Sequence, residues 1–427
     1  MQFVRFSQIT SVKIFLLGFS LLKTDKKSML LEFSCANVKS IKDRVTFSLE
    51  ASADKTLEDT LINASDKKKY LRFASIYGLN GSGKSSFLTS ISLLQELVIT
   101  NPAILPGQEL EQFPHKSAIN EDTEFEIVII RNGVKYKYSL CYNKDGVTKE
   151  SLFYWPNKRI ARIFERTNDE YTVQDSFVKL NNIIEDKTFS NRLFLTIAAT
   201  DTPYKEFKEV VEFFTVDLVC YEPRLNNWLS YSAEQMQNSA EMKSKVLDLL
   251  HKMGSDVLDI TAKMERVRSA FPAEAGRMFS PALRRSMQIP SIKMHYAEFS
   301  LDLSEESDGV QKLIAFICPI VDMFEKGKIF ICDEIERHLH PTIIRDIVEI
   351  FMQNKTSDAQ IIVTTHDIDL LDLDLLRRDQ IWFTRLNKAG RHTDLYSLSS
   401  LPAVRKDENI KKNFLSGKYT TMDKKSD

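Results

Sequence analysis

At 427 residues the chain exceeds one average domain and can bury a large core, which points to one elaborated α/β head or two lobes. Its 43% hydrophobic and 27% charged residues suit a globular protein and exclude a disordered or fibrous one. The 58 Lys and Arg balance 59 Asp and Glu, so bulk charge marks no nucleic-acid or membrane surface, and any DNA contact needs a local basic face. Short basic clusters (Lys67-Lys68-Lys69, Arg284-Arg285, Arg377-Arg378, Lys411-Lys412) read as solvated surface. Five dispersed cysteines without a C-x-x-C pair read as buried free thiols in a reducing cytosol, with no metal or redox site.

The chain opens with an apolar run, residues 12–22, that is too short to span a bilayer and leads into Thr24-Asp25-Lys26-Lys27 rather than a small-residue cleavage site. Met29 is the expected biological start, residues 1–28 an N-terminal extension, and the protein is expected in the cytoplasm; a structured extension and an export signal are the weaker readings. Residues 31–38 and 44–50 read as strands. Residues 70–77 form an apolar strand running into a Gly-rich turn, and residues 85–99 alternate at helical spacing. Residues 125–154 form an antiparallel meander turned at Asn132-Gly133 and Asp145-Gly146, with a further strand near 160–166. Residues 177–264 carry helical periodicity, including long segments at 204–214 and 233–253, and 268–290 reads as a loop. Strands and helices then alternate: strand 294–303, helix 310–324, strand 328–332, helix 342–352, strand 360–364 and a last strand at 380–386, followed by a polar tail. That order predicts a mainly parallel sheet with crossover helices.

Gly78-Leu79-Asn80-Gly81-Ser82-Gly83-Lys84-Ser85-Ser86 contains G-x-x-x-x-G-K-[ST] between a strand and a helix. Glycines let successive N–H groups turn inward onto phosphate oxygens, and the helix adds its positive end. Gly78, Asn80, Gly81, Ser82, Gly83, Lys84, Ser85 and Ser86 are the predicted ATP-binding residues. Lys84 is expected on the β- and γ-phosphates, and Ser85 on Mg²⁺.

The strand ending at Cys332 delivers Asp333-Glu334 to the crevice where open α/β sheets hold ligands. Asp333 is the predicted Mg²⁺ holder and Glu334 the general base for the attacking water. A second apolar strand ends in Thr364-Thr365-His366-Asp367, where a neutral histidine can touch a γ-phosphate and register its loss. Glu334, His366 and Lys84 are therefore the predicted catalytic group. His338 and His340, beside Pro341, read as a structural turn.

The order of these motifs, with Glu306-Ser307-Asp308-Gly309, Leu339-His340-Pro341 and Asn37-Val38-Lys39-Ser40-Ile41, resembles the ABC/SMC-like ATPase group. More narrowly it resembles AAA-type ATP-binding proteins related to OLD-family and abortive-infection ATPases. The resemblance implies an α/β P-loop ATPase head with an antiparallel β meander and a helical insertion. The first lobe would span 29–175, the insertion 176–291, the second lobe 292–402 and a polar tail 403–427. It also implies that Ser307 and Gly309, at a helix N-terminus, contact the γ-phosphate held by a second copy, so that a homodimer closes on ATP and Mg²⁺. The signature departs from Leu-Ser-Gly-Gly-Gln, and no glutamine is placed as that of a Q-loop, Gln108 and Gln112 being named for it without a firm assignment. Residues 37–42 resemble the loop that touches the nucleotide's α-phosphate or base.

These features predict a slow, partner-regulated ATPase without a membrane partner. It would be the ATPase subunit of a bacterial antiphage or DNA-maintenance system controlling an effector nuclease encoded nearby. An OLD-like enzyme with its own nuclease would need a Toprim domain, and the chain ends about 45 residues after Trp382. Asp367-x-Asp369 and Asp372-x-Asp374 directly follow the histidine and do not supply one. A transporter ATPase and a DNA-binding SMC-like tether are the remaining alternatives. The first lacks its signature here and the second its long heptad coiled coil.

Overall fold

A computed structural model of the chain describes residues 28–64, 66–157, 159–180, 188–220, 227–252, 255–266, 288–337, 341–353, 357–387, 390–401 and 408–421. Residues 1–27 of the predicted extension, most of the 268–290 loop with Arg284-Arg285, His338 and His340, and part of the tail lie outside them, while Ser28, the extension's last residue, opens β1. The described residues form two compact units. The larger runs to Cys220 and adds Gly327–Asp333 and the residues from Asp358; the smaller takes Tyr221–Lys326 and Glu334–Ser357.

In chain order, β1 (Ser28–Ala36) and β2 (Val45–Ser48) precede the short β3 (Ile62–Asn63) and β4 (Lys69–Tyr70). β5 (Phe73–Tyr77) feeds α1 (Lys84–Thr100). The meander is β6 (Thr123–Arg131), β7 (Val134–Asn143), β8 (Gly146–Tyr154), β9 (Ala161–Thr167) and β10 (Glu170–Val173). α2 (Phe194–Asp201), α3 (Lys205–Glu212) and β11 (Leu218–Cys220) follow. The smaller unit then contributes α4 (Asn227–Asn238), α5 (Ala240–Lys252), β12 (Asp259–Arg266), β13 (Gln288–His295), β14 (Ser300–Asp302) and α6 (Asp308–Lys326). After β15 (Ile329–Cys332) come α7 (Pro341–Gln353), β16 (Gln360–Thr364), β17 (Ile381–Asn387), β18 (His392–Ser397), α8 (Ile410–Leu415) and α9 (Lys418–Thr421).

Among the described residues the larger unit holds two extended sheets beside the short β3–β4 pair. One is antiparallel, in the order β10-β9-β8-β7-β6-β1-β2. Asn132-Gly133, at φ +49° and +80°, turns β6 into β7 with the twist that hairpin strands require. The next turn works differently: Asn143 Oδ1 accepts from the Asp145 N–H at 3.0 Å, an Asx turn without positive φ. The other sheet runs β11-β15-β16-β5-β17-β18, parallel except for β17–β18. β5, β15 and β16 are buried throughout, which is why they read as unbroken apolar runs. Aromatic rings lock α1 and β17 against β1 and β2: Phe33 meets Phe87 at 5.9 Å, and Phe47 meets Trp382 at 4.7 Å. Residues 176–291 are not wholly helical. β11 joins the parallel sheet, and β12 pairs with β13.

Arg377-Arg378 is not solvated surface. Arg377 is buried, forks onto both Asp379 carboxylate oxygens at 2.9 and 2.7 Å, and donates to the main-chain carbonyls of Asp54, Thr56 and Ser52. Arg378 reaches Asp54 at 2.7 Å. Burial alone would raise the Asp54 carboxyl, but hydrogen bonds from Thr56 and Arg378 outweigh it and hold that group well below the carboxylate range. Such a fork fixes geometry as much as it adds energy. The tail is likewise part of the fold: Phe414 of α8 stacks on Phe383 at 5.8 Å, and Tyr419 of α9 is fully buried.

Within the smaller unit, α6 contains Pro319, which cannot donate to the carbonyl four residues earlier. That carbonyl, on Ala315, accepts instead from Ser232 Oγ of α4 at 2.9 Å. Ser232→Ala strands it, and we expect a loss of about 1–2 kcal/mol of stability, read from denaturant midpoints, with Ser232→Thr retaining most of it. Among the described residues no helix is long and apolar enough to cross a membrane.

Candidate functional site

The C-terminal ends of β15, β16 and β5 lie side by side, since Cys332 pairs with Val363 and Thr364 with Ile76. Three predicted segments therefore emerge at one sheet edge: Asp333 after β15, Thr365-His366 after β16 and the Gly-rich loop after β5. Their chemistry there comes from polar groups at the ends of apolar strands, the arrangement that open α/β sheets use for ligands.

The loop is shaped for close backbone approach. Gly83 has φ +105°, and a Cβ there would lie 2.0 Å from Thr393 Oγ1. At Gly78 a Cβ would stand 2.3 Å from Thr384 Oγ1. Ser82 Oγ and Thr384 Oγ1 share a hydrogen bond of 2.6 Å, and Thr393 Oγ1 donates to the Ser82 carbonyl at 3.0 Å. Thr384 and Thr393, from β17 and β18, thus hold the loop from beneath, and no motif announces them. Lys84 is buried at the start of α1, its Nζ 2.8 Å from the Gly78 carbonyl. Asn80, Gly81 and Ser85 are exposed on the loop and the first helical turn, whereas Ser86 is half-buried and accepts from Ser40 Oγ at 2.9 Å.

Asp333 is half-buried, and Thr364 Oγ1 donates to its Oδ1, which orients the carboxylate at the sheet edge. An exposed serine hydroxyl and an oriented carboxylate are hard oxygen donors that fit Mg²⁺, an ion that keeps several waters. The glycine cradle, buried lysine and helix N-terminus fit a polyphosphate. His366 is exposed beyond β16. Glu334, the first residue of the smaller unit's second segment, has φ +49° and an ion pair with Arg337.

A cleft of about 840 Å³ adjoins the loop through Ser40 and is lined by Lys39, Ser40, Phe113, His115 and Arg391 among others. Asn37, at φ +54°, builds its wall: its Oδ1 accepts from the His115 N–H at 2.8 Å, and its Nδ2 donates to the Ala118 and Glu121 carbonyls at 3.0 and 2.8 Å. Gln112 also lines the cleft and donates to the Glu121 carbonyl and Thr123 Oγ1, both at 3.2 Å. Gln108 instead accepts from the Leu105 N–H within its own loop. Phe113, His115 and Arg391 escaped the sequence reading because they sit in irregular segments with neither period nor motif.

Ser307 and Gly309 belong to the smaller unit, where both are exposed at the start of α6. The Gln311 N–H donates to the Ser307 carbonyl at 3.0 Å, which begins the helix. Gly309 has no positive φ, and a Cβ there would meet only Ser307 Oγ, at 4.0 Å. Among the described residues nothing requires glycine at that place, although glycine weakens a helix by roughly 1 kcal/mol relative to alanine.

These features define a P-loop nucleotide-binding protein of α/β architecture. Residues 73–240 and 256–374, about two thirds of the chain, match the family described as "AAA domain, putative AbiEii toxin, Type IV TA system". The chain belongs to this family of AAA domains. No protein of curated function matches it in sequence. Solved structures similar to the chain include an Smc head bound to the C-terminal winged-helix domain of ScpA (14% identity, 86% of this chain and 97% of that one, TM-score 0.38). They also include the SMC head domain from Thermotoga maritima (13%, 86% and 98%, 0.37) and an Smc head with a coiled coil and joint from Pyrococcus yayanosii (10%, 92% and 100%, 0.37).

Proposed function

We propose that this protein is an ATP-hydrolysing switch that dimerises around ATP and Mg²⁺, the ATPase subunit of an antiphage or DNA-maintenance system that controls an effector nuclease. The observation that carries the reading is the glycine cradle with Lys84, which shares a sheet edge with the Thr364-oriented Asp333. In this reading Gly78, Asn80, Gly81, Ser82, Gly83 and Ser86 shape the phosphate site, and Lys84 neutralises the β- and γ-phosphates. Ser85 and Asp333 hold Mg²⁺, Asp333 through a water. Glu334, next in the chain, deprotonates the attacking water, and His366 senses the γ-phosphate. The family's description, which names a type IV toxin–antitoxin system, supports a defence role.

Gly309 supports the dimer. A glycine that no described residue of its own chain crowds, exposed at a helix N-terminus, suits an anion brought by a second copy. Loss of the γ-phosphate then removes the contacts that join the copies. Mixing two inactive variants tests this arrangement. Lys84→Ala and Ser307→Arg each fail alone, and their mixture regains hydrolysis, because the intact phosphate loop of one copy faces the intact signature of the other. A mixture as inactive as its parts contradicts a site shared between copies.

A further inference from the structure

The strand that feeds the phosphate loop ends in a side chain that phosphate chemistry does not use. Tyr77, just before Gly78, is fully buried, and its hydroxyl donates to the main-chain carbonyl of Asp367 at 3.1 Å. Asp367 directly follows His366. A group rooted in β5 therefore holds the backbone beside the proposed γ-phosphate sensor. The same edge is also tied by the Thr365 N–H, which donates to the Ile76 carbonyl at 3.2 Å.

The ring of Tyr77 is itself held. Phe383 of β17 lies 6.2 Å away, and Phe414 of α8 meets it edge-on at 5.6 Å. α8 also touches the loop after His366 directly, with Lys411 Nζ 2.8 Å from Asp369 Oδ1. That exposed pair adds little energy, but the packed ring gives the tyrosine one orientation.

We propose that Tyr77 is a positioning residue: its hydroxyl ties the phosphate loop to the His366 segment, and α8 is the clamp that keeps its ring in place. The inference rests on the reading of His366 as γ-phosphate sensor. A shift of the Gly78 end of β5 on loss of the γ-phosphate reaches the Asp367 carbonyl through a rigid ring with two rotatable bonds. Phenylalanine keeps the ring and its packing and removes only the tie.

The test compares wild type, Tyr77→Phe, His366→Ala and the double variant, with turnover and the affinities for ATP and ADP measured separately. Tyr77→Phe should cut turnover roughly tenfold, a modest effect for a misplaced catalytic group, and narrow the preference for ATP over ADP while ADP affinity holds. In the His366→Ala background it should add nothing. Phe414→Ala should reproduce part of the effect with the hydroxyl present. Wild-type behaviour of Tyr77→Phe, or a double variant slowed by the product of the two single effects, overturns the role. His366→Ala with wild-type turnover and nucleotide preference refutes the sensor reading instead, and Tyr77 loses its proposed route with it.

Discussion

Lys84→Ala is expected to bind ATP about 100-fold more weakly and to turn it over roughly 10²- to 10³-fold more slowly. The ammonium at the start of α1 is the buried cation of the phosphate cradle, 2.8 Å from the Gly78 carbonyl, and so lies at the loop that would receive the β- and γ-phosphates. A charge-assisted hydrogen bond is worth about 1.5–3 kcal/mol, which sets the affinity loss; loss of a donor aimed at developing charge sets the loss of rate. Titration calorimetry and steady-state phosphate release measure the two effects. Thermal melting without nucleotide separates them from misfolding, because the loop remains anchored through Ser82, Thr384 and Thr393.

Glu334→Gln is expected to keep wild-type affinity for ATP and lose 10²- to 10⁴-fold in hydrolysis, about 3–5 kcal/mol of barrier. Glutamine matches the shape of glutamate, can still bond to Arg337, and preserves the turn in which the Arg337 N–H donates to the Glu334 carbonyl at 2.9 Å. The capacity to take a proton disappears, together with the charge of the exposed Arg337 pair. Asp333→Asn separates the neighbouring acid by a different signature, since a magnesium ligand is partly rescued by raised Mg²⁺ and a general base is not.

The parts of the fold that were legible share one physical cause. A strand buried on both faces must be apolar throughout, so β5, β15 and β16 stood out, and the polar residues ending them were visible by contrast. Other parts were hidden for reasons as specific. β11 has three residues, too few to show a period. The long segment of helical periodicity read at 233–253 is shared by two helices, α4 and α5, divided at Ser239, whose Oγ accepts from the Met242 N–H at 3.1 Å. That serine was a readable N-cap signal. Arg377 could not be read as buried, because the carbonyls that receive it lie more than 300 positions earlier in the chain. Thr384 and Thr393 look like any hairpin threonines until β17 and β18 are laid beneath the phosphate loop.

Mass measurement of Glu334→Gln, alone, with ADP and with saturating ATP and Mg²⁺, bears most directly on the proposed switch. Two copies joined by ATP alone, separating again once nucleotide is removed, are the expected result. A particle of single-chain mass under every condition, with ATP shown to be bound, would leave Ser307 and Gly309 without an anion to contact and contradict the shared site.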